Sequence, residues 1–223
     1  MPGYSVVLCD LDGTLSDPKE GITHSVQYAL RKMAVASVPQ SDELTAFIGP
    51  PLHESFMCWG LTESEAWRAV TYYREYFSVH GLYENYLYPR VRETLERLAH
   101  NQIALWLATS KPTGFSEQIL EFFGLRSLFT GVVGSDFDGT GAHKVDVLQK
   151  IVEKNSGLGR EHFLMVGDHE QDILAASRWE IDCAAVEYGY GLRTALHEAH
   201  PTYWIKRFDE IYPIVMGNIK PGQ

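Results

Sequence analysis

One stretch of the chain carries the main evidence for its fold: Val6-Val7-Leu8-Cys9-Asp10-Leu11-Asp12-Gly13-Thr14-Leu15. Its apolar run has the composition of a buried strand, and it ends on two carboxylates separated by one residue, followed by a glycine that permits a tight turn. Ligands of open α/β sheets bind at the carboxyl ends of parallel strands. Asp10 and Asp12 are therefore candidates for a nucleophile, its acid–base partner and a cation site. The alternative is an ordinary turn, because Asp and Gly are common turn residues.

Three further groups of polar residues follow apolar runs later in the chain. They are Thr109, Ser110 and Lys111 after residues 103–108, Lys144 after residues 132–134, and Asp168 with Asp172 after residues 163–166. Each group alone has an ordinary interpretation: Thr109 can cap a helix, Lys144 can be a solvated helix residue and Asp168 can be a turn residue. Because all four groups lie at successive strand ends, we predict that they share one site.

The remaining patterns predict an α/β fold with a Rossmann-like parallel sheet core, helices on both faces and an inserted all-α cap. Helical spacing dominates residues 17–86, which we predict to be the cap domain, so that residues 1–16 and 87–223 form the catalytic core. The predicted cap helices are 22–33, 43–47, 52–59 and 63–79. From the crossover helix 91–101 onward, helices 114–123, 145–155 and 173–179 alternate with strands 103–108, 132–134, 163–166 and 183–186.

Composition limits the possible partners and compartments. The chain has 223 residues, long enough for one domain with a sizeable insertion. No apolar run reaches the roughly 18 residues of a membrane span, and Met1-Pro2-Gly3-Tyr4 lacks the basic start of a secretory signal. Cys9, Cys58 and Cys183 are odd in number and far apart, which favours reduced thiols. We therefore predict a cytoplasmic protein without a membrane partner.

The charge balance bears on the substrate. Nineteen basic and 29 acidic residues give a net charge of −10, and no stretch is strongly basic, so a nucleic-acid partner is not expected. A phosphorylated substrate would be repelled at long range, and its attraction must come from Lys144, a cation and, as a further option, Lys111. A monomer and a small homo-oligomer fit the sequence equally well.

Together these motifs resemble the haloacid dehalogenase-like hydrolase superfamily, in its phosphoglycolate phosphatase-like branch with a helical cap. The resemblance spans nearly the whole chain and rests on Asp10-Leu11-Asp12-Gly13-Thr14-Leu15, Ala108-Thr109-Ser110-Lys111-Pro112, Lys144, and Gly167-Asp168 with Asp172. Weaker features are Phe47-Ile48-Gly49-Pro50-Pro51-Leu52, Leu87-Tyr88-Pro89 and Tyr188-Gly189-Tyr190-Gly191. The chain departs from the family pattern at His169, and at Arg90 and Glu180, where glycine is more usual.

The chemistry of these positions, read with the resemblance, predicts a Mg²⁺-dependent phosphatase that hydrolyses a small phosphate monoester through an aspartyl-phosphate intermediate. Asp10 and Asp168 are the predicted side-chain ligands of Mg²⁺, and the resemblance adds the backbone carbonyl of Asp12. Asp172, one helical turn beyond Asp168, is predicted to support the metal site.

The remaining predicted roles divide between catalysis and substrate binding. Asp10 would attack phosphorus, and Asp12 would protonate the leaving alcohol and later accept a proton from water. Thr109 and the backbone amide of Ser110 would hold phosphoryl oxygens, while Lys144 offsets charge in the transition state. The resemblance places the loop of Gly49 opposite the active site, in reach of substrate.

Several alternatives stay open at this point. The branch suggests phosphoglycolate as substrate, but its neighbours include nucleoside 5′-monophosphatases and broad-range sugar phosphatases. A phosphomutase and a phospho-acceptor signalling module are more remote, and Asp12 with the helical cap argues against the latter. Asp12 also argues against dehalogenation, because dehalogenases of this superfamily lack an aspartate two residues after the nucleophile.

The sequence leaves the surroundings of three features to the structure. Lys111 is interpreted as solvated, with a place at the cap-facing entrance as the alternative. His169 is interpreted as an exposed turn residue, with an influence on the mouth of the site or on the pH profile as the alternative. The aromatic residues that crowd the end of the cap are interpreted as packing between helices, with stacking on a base or sugar as the alternative; they are Tyr72, Tyr73, Tyr76, Phe77, Tyr83, Tyr86 and Tyr88.

Overall fold

A computed structural model describes residues 3–219 of the chain. Within them lie eight strands: β1 Val6–Cys9, β2 Ser16–Asp17, β3 Tyr86–Leu87, β4 Ala104–Pro112, β5 Gly131–Ser135, β6 Phe163–Gly167, β7 Asp182–Val186 and β8 Tyr203–Ile205. The α-helices are α1 Lys19–Lys32, α2 Leu52–Cys58, α3 Glu63–Tyr76, α4 Val91–His100, α5 Thr113–Phe122, α6 Lys144–Lys154, α7 Glu170–Arg178, α8 Arg193–Glu198 and α9 Ile211–Val215. Six strands form one parallel sheet in the order β5-β4-β1-β6-β7-β8, which confirms the predicted α/β class.

The sheet is apolar on both faces because its central strands are uninterrupted apolar runs. Val7 and Cys9 of β1 join one apolar cluster, which also contains the buried sides of α4 and α5. Val6 and Leu8 join the other, which contains the buried sides of α6 and α7. Successive side chains of a strand point to opposite faces, and both faces are covered by helices, as is usual for parallel sheets.

Strand β1 lies in the middle of the sheet, between β4 and β6. The chain leaves β1 in one direction to reach β4 and, later, returns on its other side to form β6. A crevice at the carboxyl ends of the strands opens at such a change of direction, and ligands of open α/β sheets bind there. The four groups of polar residues predicted from the sequence follow strands around this point.

Helices α1, α2 and α3 are inserted between β2 and β3. These two strands form an antiparallel pair that ties the ends of the insertion together, with Ser16 opposite Leu87 and Asp17 opposite Tyr86. The apolar cluster on the β1–α4 side continues from the sheet into the insertion, where it includes Leu30, Phe56 and Val70. The insertion therefore packs on the same core as the sheet.

Some predicted elements differ from the observed ones. The predicted helix 63–79 ends at Tyr76 and continues as a π-helical turn, Phe77–Gly81, and the predicted helix 43–47 is a 3₁₀ segment, Ser41–Phe47. The sequence did not reveal β2, β3, β8, α8 or α9, because each has six residues or fewer and too few positions to establish a hydrophobic period. None of the helices in the described part of the chain is long and apolar enough to cross a bilayer.

Glu180, which departs from the usual glycine, closes α7 in a left-handed conformation with φ of 56°. The amide of Glu180 donates to the carbonyl of Ser177 at 3.1 Å, and the amide of Ile181 donates to that of Ala176 at 2.9 Å. This pattern is a Schellman motif, which favours glycine at the left-handed position.

Replacing Glu180 with glycine is expected to stabilise the protein by about 0.5–1 kcal/mol, because it relieves the left-handed strain of about 1–2 kcal/mol at a smaller entropic cost. Urea unfolding measures the change. The matched control, Glu153→Gly within α6, is expected to destabilise by a similar amount. Equal losses of stability in both variants would contradict the prediction.

Candidate active site

Asp10 and Asp168 follow neighbouring strands, which brings their side chains to the same edge of the sheet. Cys9 of β1 pairs with Val166 of β6, and the amide of Asp10 donates to the carbonyl of Val166 at 2.9 Å. Asp168 lies just beyond the end of β6, and both carboxylates are buried. The parallel register thus joins two motifs that are about 150 residues apart in the chain.

Lys144 lies at the centre of the site. Its Nζ lies 2.8 Å from Asp10 Oδ1 and 2.8 Å from Asp172 Oδ1, and it donates to the carbonyl of Ala108 at 3.0 Å. Burial lowers the pKa of Lys144, but Asp10 and Asp172 raise it more, so the net shift is upward. Lys144 is therefore a buried cation that joins β1, β4 and α7 at one point, and not a solvated helix residue.

Asp12 and Lys111 form a second buried pair. Lys111 Nζ lies 2.5 Å from Asp12 Oδ2, and their side chains are only 8% and 9% exposed. The interpretation of Lys111 as solvated is therefore wrong: the strand β4 is irregular between Ala108 and Pro112, and the side chain of Lys111 from this segment lies against Asp12. The Nζ also lies 4.8 Å from the centre of the Phe77 ring, on the insertion side. Burial raises the pKa of Asp12, and Lys111 opposes that shift.

Asp168 is held by two donors from other parts of the chain. Thr14 Oγ1 donates to its Oδ1 at 2.9 Å, and the amide of Tyr190 donates to its Oδ2 at 2.8 Å. Burial raises the pKa of Asp168 to about 7, with His169 lowering it and Asp10 raising it further. Thr14 and Tyr190 were not predicted as site residues. The sequence features that could have indicated them are the motif Asp10–Leu15, which contains Thr14, and the stretch Tyr188-Gly189-Tyr190-Gly191, which contains Tyr190.

Gly13 permits the close approach of β1 to Asp168. Its φ is +83°, and a Cβ at this position would lie 2.2 Å from Asp168 Oδ2. Any other residue would meet both backbone strain and a carboxylate. The glycine of the first motif therefore serves the packing of Asp168 as well as the turn.

Thr109 and Ser110 are buried in the irregular part of β4. Thr109 Oγ1 accepts a hydrogen bond from the amide of Lys111 at 3.3 Å. The carbonyl just before them, that of Ala108, binds Lys144. The two hydroxyl residues therefore lie in the strand segment between the two buried ion pairs.

The loop of Gly49 contacts His169. The backbone carbonyl of Ile48 lies 3.1 Å from His169 Nε2, and a Cβ on Gly49, whose φ is +104°, would lie 2.5 Å from the imidazole ring. The side chain of His169 is 15% exposed, so its interpretation as an exposed turn residue is wrong. The insertion presses this loop against the residue that follows Asp168.

A cavity of about 170 Å³ lies between the insertion and the carboxyl end of the sheet. Asp12, Ser110 and Lys111 line it from the sheet side, while Gly49 and the helices α2 and α3 line it from the other. Of the aromatic residues singled out in the sequence, Tyr73 and Phe77 are buried and line the cavity, whereas Tyr83 and Tyr86 are exposed. Tyr73 and Phe77 therefore both pack in the core of the insertion and line the cavity.

The donor set of the site fits a hard divalent cation. Asp10, Asp168 and Asp172 offer oxygens that all lie within 4.8 Å of one another. Over residues 3–219, Lys144 is the one lysine or arginine paired with them, so buried negative charge exceeds positive charge. Such an excess is costly unless a carboxyl group takes up a proton or a metal compensates the charge. Mg²⁺ prefers oxygen ligands and is usually held by one or two carboxylates, a requirement that Asp10 and Asp168 can meet.

Comparison with known proteins agrees with this geometry. The family model described as haloacid dehalogenase-like hydrolase matches residues 7–186. A 5′-nucleotidase of Pseudomonas aeruginosa is 43% identical over 90% of both chains. A phosphoglycolate phosphatase of Yersinia pseudotuberculosis is 30% identical over 94% of this chain and 92% of its own length.

The chain is also similar to a protein with a different named activity and to a protein of known structure. The tyrosine-protein kinase PtkA of Mycobacterium tuberculosis is 38% identical over 85% of this chain, which spans 65% of that protein. A crystal structure of a predicted phosphatase from Clostridium acetobutylicum superposes with a TM-score of 0.90 at 39% identity, over 96% of this chain and 99% of that one.

Proposed function

Because this chain belongs to the haloacid dehalogenase-like hydrolases and is a phosphatase among them, we propose that it hydrolyses a small phosphate monoester with Mg²⁺, through an aspartyl-phosphate on Asp10. The observation that carries the proposal is the position of Lys144, whose Nζ lies 2.8 Å from both Asp10 and Asp172. A nucleophile beside a fixed cation and a cluster of metal-binding carboxylates is the arrangement that phosphoryl transfer requires.

The first step forms a bond between a carboxylate oxygen of Asp10 and phosphorus. The bond from phosphorus to the leaving oxygen breaks, its electron pair stays on that oxygen, and Asp12 supplies the proton. Burial raises the pKa of Asp12, which favours the protonated form that this step needs. Thr109 and the amide of Ser110 hold the phosphoryl oxygens, and Lys144 offsets their growing charge.

The second step returns the enzyme to its starting state. Water attacks phosphorus, Asp12 accepts its proton, and the bond between phosphorus and Asp10 breaks to release phosphate. Asp10, Asp168 and the backbone carbonyl of Asp12 would hold Mg²⁺, with Asp172 supporting them. When bound, Mg²⁺ would offset the charge of the phosphoryl group and of Asp10.

The helical segment 17–86 serves as a cap that lies over the site and surrounds the leaving group of the substrate. Its loop at Gly49 contacts His169, which follows Asp168 in the chain. The ring of Phe77 contacts Lys111, the partner of Asp12. Three substrate classes fit this proposal: phosphoglycolate and sugar phosphates, both suggested by the resemblance, and nucleoside 5′-monophosphates, suggested also by the name of the Pseudomonas relative.

Phosphate release from a panel of monoesters, measured with Mg²⁺ and again with excess EDTA, tests the proposal. The panel includes p-nitrophenyl phosphate, phosphoglycolate, sugar phosphates and nucleoside 5′-monophosphates. We expect release from at least one class, lost with EDTA and restored by added Mg²⁺. If the folded, Mg²⁺-loaded protein hydrolyses none but acquires phosphate on tyrosine from ATP, the activity named for the mycobacterial relative would replace this proposal.

Mg²⁺ is also expected to raise the melting temperature. A ligand present at about 100 times its Kd stabilises the native state by about 2.7 kcal/mol, or about 5–10 °C for a chain of this length. Replacing Asp168 with asparagine should remove the shift, whereas Asp146→Asn on the exposed side of α6 should preserve it. Thermal unfolding with and without Mg²⁺ measures this; an unchanged shift in the Asp168 variant would argue against the assigned site.

A further inference from the structure

We propose that His53 and Trp67 bind the ring of an uncharged leaving group, so that the substrate is a nucleoside 5′-monophosphate and not a phosphorylated acid. The inference rests on the proposed phosphatase function, because it concerns the same cavity. His53 lies at the start of α2 and Trp67 in the second turn of α3, and both line the cavity opposite Asp12.

The two side chains form an aromatic wall of the cavity in which one ring lies on the other, so that a substrate ring can stack on the outer face of the pair. Their rings are stacked, with centres 4.2 Å apart and planes 21° from parallel. A Cβ on Gly139 would lie 3.2 Å from Cη2 of Trp67, so the indole reaches from the insertion to the loop after β5. Rings bind well to such surfaces, because stacking on aromatic side chains tolerates any base.

His53 also has an unused polar atom. Its Nε2 is buried and has no hydrogen-bond partner within the described residues. A buried polar atom without a partner is uncommon and costly in native proteins, which suggests that a ligand supplies one. A nucleobase carries nitrogen and oxygen atoms on its edge, whereas the glycolate part of phosphoglycolate has no ring to reach this wall.

The charges of the cavity disfavour a second negative charge on the substrate. Asp12, Glu54, Asp136 and Asp138 line the cavity. Among the residues that the structure describes, the lining has only two of fixed positive charge: Lys111, whose Nζ lies 2.5 Å from Asp12 Oδ2, and Arg74, whose Nη2 donates to the carbonyl of Phe137 at 2.6 Å. The acidic residues of the lining therefore outnumber the basic ones.

His143 also lines the cavity. It lies on the loop between β5 and α6, and its Nε2 lies 3.7 Å from Glu54 Oε1. A carboxylate on the leaving group would therefore meet more acidic than basic side chains in this lining, whereas an uncharged nucleoside would not be repelled.

A three-substrate comparison separates the ring from the charge. We would measure kcat/KM with Mg²⁺ for adenosine 5′-monophosphate, glycerol 3-phosphate and phosphoglycolate, which carry a ring, neither feature, and a carboxylate. The wild type is expected to prefer them in that order. In Trp67→Leu and His53→Leu, the ratio of adenosine 5′-monophosphate to glycerol 3-phosphate should fall about tenfold, the scale of a lost stacking contact. Trp59→Leu is the matched control, since Trp59 is 37% exposed and outside the cavity lining.

A second measurement keeps the test independent of the folding of these variants. Adenosine should inhibit wild-type hydrolysis of glycerol 3-phosphate at concentrations at least tenfold lower than glycolate does. Preference for phosphoglycolate, or loss of all three activities in equal proportion in Trp67→Leu, would overturn the inference and leave the phosphatase function standing. Hydrolysis of no monoester by the wild type would instead contradict the proposed function and the inference with it.

Discussion

Replacing Asp10 with asparagine is expected to lower kcat for phosphate release by about 10³-fold or more, because the amide cannot attack phosphorus. The change is nearly isosteric, and Lys144 keeps its contact with Asp172 at 2.8 Å, so the fold should survive. Single-turnover phosphate release, with melting temperature as the check on folding, measures the effect.

The control for Asp10→Asn is Asp146→Asn, on the exposed side of α6 two residues beyond Lys144. It removes the same charge from the same region without touching the site, and should retain wild-type kcat. A folded Asp10 variant with more than a tenth of wild-type activity would exclude Asp10 as the nucleophile. Capture of a phosphorylated wild-type chain by rapid acid quench, absent from the variant, would identify the intermediate.

Replacing Lys144 with methionine is expected to affect both activity and stability. Methionine has a similar length but leaves Asp10 and Asp172 buried without their cation, and breaking a buried pair in this way costs about 3–5 kcal/mol. The lost transition-state charge should lower kcat by about 10²–10³-fold. Urea unfolding in EDTA measures the stability change without compensation by a metal.

Two further variants show whether the loss comes from unpaired charge. Adding Asp172→Asn to Lys144→Met should restore part of the lost stability, since it removes one of the orphaned carboxylates. Lys150→Met, on the exposed side of α6, should change the free energy of unfolding by less than about 0.5 kcal/mol. A loss below about 1 kcal/mol in Lys144→Met would contradict the central position given to this lysine.

The variants Asp10→Asn and Lys144→Met test different parts of the proposal. Asp10→Asn tests the nucleophile and one proposed ligand of Mg²⁺, while Lys144 keeps its pair with Asp172. Lys144→Met tests the assembly of the site, because Lys144 contacts β1, β4 and α7 together.

The sequence was sufficient for the fold class and for predicting which polar side chains lie close together at the sheet edge. Apolar runs that end on polar residues predicted β1, β4, β5 and β6, and the parallel sheet followed from their alternation with helices. It was also sufficient to name Asp10, Lys144, Asp168 and Asp172 as neighbours, since parallel strands end at one edge. These features depend on local pattern, which a short window of residues already contains.

Contacts between distant side chains were decided by the tertiary structure alone. Lys111 pairs with Asp12 from 99 residues away, Thr14 donates to Asp168 across 154, and His169 meets the carbonyl of Ile48 across 121. No local pattern tells a buried lysine from a solvated one, because burial depends on the strand irregularity after Ala108 and on how the insertion packs above it. The aromatic wall of the cavity has the same origin, since α2 and α3 bring His53 and Trp67 together only once both helices have packed.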